Sequence, residues 1–123
     1  MKTVKTLALL LLATTFTLTA QKANINTGKS TVKWIGNKVG GSHNGDIKVK
    51  SGAFEFKGGN IASGEVVIDM NTITCADLTN EGANQKLVGH LKSDDFFGVE
   101  KFPTATFKVT KALCSPSGKA LTP

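Results

Sequence analysis

Short runs in which every second residue is apolar constrain this chain more than any other feature. Val32 and Trp34 flank Lys33, and Ile47 and Val49 stand between Asp46, Lys48 and Lys50. Phe54 and Phe56 alternate with Ala53, Glu55 and Lys57. Val66, Ile68 and Met70 share one side of residues 64–71, and Ala105, Phe107 and Val109 oppose Thr104, Thr106, Lys108 and Thr110. A period of two sends alternate side chains to opposite faces of a strand. Apolar on one face and charged or hydroxylated on the other is the pattern of half-buried antiparallel strands. The breaks between runs, Gly40-Gly41-Ser42, Ser51-Gly52 and Gly58-Gly59-Asn60, read as turns.

Residues 75–103 change the period. Residues 76–84 are polar and read as a loop. Leu87, Val88 and Leu91 fall on one helical stripe. Ser93 fits a cap for a further turn carrying Phe96 and Phe97, and Pro103 ends the insertion. The expectation is an all-β, mainly antiparallel domain with a short helical insertion. Five strands are legible, whereas a closed barrel holding one small ligand takes about eight. A barrel incomplete at its C-terminal end is therefore expected, with a small open sheet carrying a packed helix as the alternative.

The first twenty residues read as an address. Lys2 and Lys5 precede the apolar run 7–13, which fades into small residues ending at Ala20. That order matches a secretory signal, with residues 21–123 as the mature domain. The run is too short for a spanning helix, which needs about 20 apolar residues, so no stable membrane span is expected and the localisation reads as exported. All fifteen cations of the sequence are lysines, against nine acids. Nucleic-acid readers favour Arg for bidentate contacts, so the missing Arg and the export signal both point away from nucleic acid. Cys75 and Cys114 are the two cysteines. They permit one bridge in an oxidising compartment, but nothing in the sequence brings them together, and two separate thiols are the expectation.

Candidate chemistry is sparse. His43 and His90 could ligate a metal with help from Asp94, Asp95 or Cys75, yet no H-x-x-H or H-E-x-x-H spacing occurs. Packed or capping imidazoles are the plainer reading. Asp94-Asp95 suits an acidic first turn of a helix. No nucleophile elbow, Cys/His dyad or phosphate loop is present, so no enzymatic activity and no cofactor are expected. What remains is apolar surface. Trp34, Ile47, Val49, Phe54, Phe56, Val66, Ile68, Met70, Phe107 and Val109 form either a plain core or the wall of a cavity, and alternation alone leaves both open.

Longer motifs add to this. They are Ser30-Thr31-Val32-Lys33-Trp34, Gly41-Ser42-His43-Asn44-Gly45 and Gly64-Glu65-Val66-Val67-Ile68-Asp69-Met70-Asn71-Thr72-Ile73. The most specific begins Leu87-Val88-Gly89-His90-Leu91-Lys92-Ser93-Asp94-Asp95-Phe96-Phe97 and runs through Phe102-Pro103 to Phe107. In these the chain resembles the YceI-like family of exported polyisoprenoid-binding proteins. The resemblance implies a lipocalin-like β-barrel, no catalytic residues, and an apolar tunnel for an isoprenoid or other fatty lipid. The pocket would then be lined by the ten residues above, with Phe96 and Phe97 near the insertion. Cys75 stands where many members carry other residues, so the resemblance implies no thiol role.

Overall fold

The computed structural model describes residues 19–113. Residues 1–18, most of the expected signal segment 1–20, and Cys114 with any bridge to it lie outside the described residues. Five strands form one antiparallel sheet: β1 (Gln21–Asn24), β2 (Thr31–Lys38), β3 (Gly41–Lys57), β4 (Asn60–Asp69) and β5 (Thr104–Val109). One helix, α1 (Glu81–Lys92), lies between β4 and β5. The sheet is curled into a half-barrel, an all-β arrangement of the lipocalin-like kind.

The 17-residue strand β3 is the spine. Its first part pairs with β2, from Lys38↔Gly41 to Thr31↔Lys48, and its second part pairs with β1, from Asn24↔Ala53 to Gln21↔Phe56. Its other edge pairs with β4, which in turn pairs with β5. Gly58 and Gly59, both at positive φ, make the two-residue turn into β4. Paired positive φ values are what a tight hairpin needs to match the strand twist.

Three expectations require correction. Ser51-Gly52 is no turn: both residues lie inside β3, where the register against β4 shifts between Val49 and Ser51. Small residues suit this bulge as well as a turn, so punctuation alone misreads it. The segment 76–84 is only partly loop, because α1 begins at Glu81 with the Asn80 side chain accepting from the Ala83 amide at 2.9 Å. A polar exposed first turn hides such a start. Asp94 and Asp95 open no helix either. They follow Ser93, the C-cap of α1, and enter a run of turns. Strand β1 has no alternating apolar signal; backbone pairing to β3 holds it.

The core sits under α1. Ile47, Met70, Ile73, Leu91 and Val99 are buried together, with Val32, Trp34, Ile68, Leu87 and Val88 packed on them. The outer face is a lattice of cross-strand opposites. Lys48 stands opposite Asp69, Lys22 opposite Glu55, and Glu65 opposite Lys108; Lys33 reaches Asp46 at 3.3 Å. Such exposed pairs add little stability each.

Candidate functional site

Register places the apolar alternation on one concave face. Val49, Ile68 and Ala105 form one row across β3, β4 and β5. Gly52, Val66 and Phe107 form the next, and Ala23, Phe54, Gly64 and Val109 a third. Phe56 stands opposite Ile61 at the far end. At the near end Val32 faces Ile47 and Trp34 faces Gly45.

The two ends differ in cover. Ile47, Val49 and Met70 are buried, and Trp34 and Ile68 pack against the core below α1. The Trp34 indole N–H donates to the Thr74 carbonyl at 2.8 Å. It crosses Gly45, where a Cβ would collide with that carbonyl and with the indole nitrogen. Beyond the helix the face is open. Phe54, Phe56, Val66 and Val109 are half-buried, and Phe107 is 57 % exposed. The Phe54 ring lies across Gly64, and the Ile25 side chain lies across Gly52, so these two glycines form a trough that other side chains partly fill. An aromatic ring over a strand glycine recovers contact that the missing side chain gives up.

Phe96 and Phe97 stand apart from this face. They sit on the turn after α1, 59 % and 47 % exposed, with their rings 6.5 Å apart. Phe102, also exposed, joins them around a small notch with Asp94 and Lys101. Six backbone bonds donated by residues 96–102 brace the turn, among them Phe97 N–H to the Leu91 carbonyl and Gly98 N–H to the Ser93 carbonyl.

The titratable side chains fall into separate pairs. His90 lies 3.5 Å from Asp95 and edge-on to Phe96, while Lys101 donates to Asp94 at 2.6 Å. His43 instead meets Asp77, its Nδ1 2.7 Å from Oδ2. Sequence reading missed Asp77, and no local signal marks it: its partners lie 33 and 34 residues away. Its Oδ1 accepts from the Asn44 amide at 2.8 Å and from the Cys75 thiol at 3.3 Å. The Asn44 amide first and then the His43 ring hold the Asp77 carboxyl well below the usual carboxylate range; desolvation opposes them, and the Cys75 thiol adds a lesser lowering. With its acceptor sites so occupied, Asp77 acts as an anchor. It fastens the segment after β4 to the start of β3, beside the backbone bonds from Thr74 to Asp46 and from Ala76 to Asn44. No group of His, Cys, Asp and Glu among the described residues could hold a metal ion.

The model of the YceI-like domain matches residues 16–120. The chain belongs to the YceI-like family. No curated protein matches it. Within this YceI-like domain, the motif from Leu87 to Phe107 spans the last turns of α1, the braced turn with its aromatic residues, and the entry into β5. No helix among the described residues is long and apolar enough to cross a membrane.

Proposed function

We propose that this YceI-like chain is an exported, non-catalytic binder of an isoprenoid or another long-chain lipid, whose tail lies along the concave face. One observation carries the reading: beyond α1 the face stays apolar, from Val66 and Phe54 to Phe107 and Val109, and among the described residues it is only half-covered, with Phe107 exposed. Exposed contiguous apolar surface in a domain with an otherwise charged exterior calls for a partner. Family membership supports a lipid as that partner. Of the twelve expected pocket residues, Ile47, Val49 and Met70 form the closed floor near α1. Phe54, Phe56, Val66, Phe107 and Val109 form the open stretch that contacts the tail, with Trp34 and Ile68 between the two. Phe96 and Phe97, on the turn after α1, lie outside that stretch.

Affinity would come from apolar burial, about 0.8 kcal/mol per CH₂ in the limit of full burial. Titration with prenyl alcohols of increasing length tests this directly. Affinity rising with each added unit is expected until the face is filled; an affinity flat in chain length overturns the reading. Export is tested separately by the mass of the protein recovered outside the cytoplasm, which should begin at Gln21.

A further inference from the structure

The β2–β3 hairpin ends in a two-residue turn, Val39-Gly40, closed by the pair Lys38↔Gly41. Its tip projects from the sheet. Along the other edge of β3, β4 pairs no further than Lys48. The segment after β4 then takes over, its Thr74 amide donating to the Asp46 carbonyl and its Ala76 amide to the Asn44 carbonyl. Past that point the ribbon continues as Asn37↔Ser42 and Lys38↔Gly41 alone among the described residues. A Cβ at Gly40 would meet nothing within 4 Å. Two apolar side chains mark this tip: Val39 is 102 % exposed, and Ile35, on the convex face opposite Asn44, is 74 % exposed. Turn positions ordinarily hold Gly, Asn, Asp, Ser or Pro, so neither turn chemistry nor a core accounts for Val39. A further strand beside β2 would pair through the backbone edge and leave the convex face and the turn as they are.

We propose that this hairpin tip docks the chain on an anionic bilayer surface, from which it takes up its lipid; the uptake rests on the function proposed above. A lone exposed apolar residue is ordinary. Two on one projecting ribbon, with cations beside them, have the make-up of a peripheral membrane contact. Charge selects the occupant. Residues 31–48 carry Lys33, Lys38 and Lys48 against one acid, Asp46, which Lys33 already engages at 3.3 Å. Lys38 is exposed and stands directly before Val39. Laid tip-first on a bilayer, Val39 enters the boundary between headgroups and acyl chains, and Ile35 follows it four residues back along β2. Lys33 and Lys38 have stems long enough to keep their ammonium groups at the level of the phosphates. Neither Val39 nor Ile35 belongs to the buried cluster or to the concave wall, so docking leaves the lipid-binding face free.

Flotation tests this with the lipid-free protein that begins at Gln21. Vesicles of phosphatidylglycerol and phosphatidylcholine in equal parts should carry the protein with them, and rising salt should release it. Phosphatidylcholine alone should carry much less. Val39→Asp and Ile35→Asn should each weaken adsorption roughly tenfold, and Lys38→Gln about fivefold. All three variants should keep the wild-type circular dichroism spectrum. Titration with prenyl alcohols in the absence of vesicles should be unchanged in them, so a failure of the lipid reading shows in that titration and a failure of docking shows in flotation. No adsorption to the anionic vesicles overturns the proposal and leaves the tip to a protein partner. Adsorption that is equal on the two kinds of vesicle, or that survives both Val39→Asp and Ile35→Asn, overturns it as well.

Discussion

Asp77 shows how one side chain can order a region that local pattern leaves undefined. Its carboxylate gathers the Asn44 amide, the His43 ring and the Cys75 thiol. It ties the exit from β4 to the start of β3, while the Trp34 indole on the Thr74 carbonyl ties the same exit to β2. A carboxyl with a depressed folded-state value favours the native state at any pH above its unfolded value of about 3.9. That contribution fades as pH drops below about 4 and is gone once the native carboxyl itself takes up a proton. Asp77→Asn should therefore be less stable than the parent at neutral pH. The gap between their unfolding midpoints should shrink steadily below about pH 4. A gap that stays constant down to strong acid would show that the carboxyl is not held low.

At the scale of elements, β3 is where sequence and structure part most clearly. The run that became β5 is legible because Thr and Lys alternate cleanly with Ala105, Phe107 and Val109, and those in β2 and β4 because Val32, Trp34, Val66 and Ile68 keep one parity despite the outward Ile35 and Val67. In β3 the alternation changes phase: Ile47 and Val49 are odd-numbered, Phe54 and Phe56 even-numbered. Two strands joined by Ser51-Gly52 account for that pattern as well as one bulged strand does, and only pairing partners decide between them. Val49 against Ile68 and Gly52 against Val66 show that the strand continues and absorbs one extra residue. Deleting Lys50 should consequently leave both pairings in place with little loss of stability. Deleting Lys48 should turn Val49 outward, draw Lys50 inward and cost roughly 1.5–3 kcal/mol or more. Urea unfolding of the two variants separates these outcomes; equal losses would mean that the bulge does not act as slack. The Asn80 cap and Glu81 at the start of α1 were readable in principle, but nothing in Gln21–Asn24 announces β1, since backbone pairing alone defines it.

Across the whole molecule, cohesion is uneven. The buried cluster of Ile47, Met70, Ile73, Leu91 and Val99 lies under α1, while β5 has mostly exposed side chains. Cooperative units with few buried contacts open first. Native-state hydrogen exchange should find the slowest amides near Ile47 in β3 and Leu91 in α1, with β5 exchanging markedly faster. Protection in β5 equal to that of Ile47 in dilute, lipid-free protein would contradict this gradient. The sequence motifs around Trp34 and from Leu87 to Phe107 located the closed end, because large apolar residues and the helical stripe both fall there. They could not separate floor from open wall, since a phenylalanine has the same alternation whether or not a helix lies over it.

The two-residue link at Gly58-Gly59 has a kinetic counterpart. β2, β3 and β4 are consecutive hairpins, so their contacts close over short stretches of chain and can form within microseconds. β5 must return across the 34 residues that separate Asp69 from Thr104. Closing that larger loop costs more chain entropy before any contact repays it. The pairings of β2, β3 and β4 should therefore form ahead of that of β5, which pulsed hydrogen exchange during refolding would check by later protection in β5. During that wait the free side of β4, with Val66 and Ile68, is the surface on which a stray strand could settle.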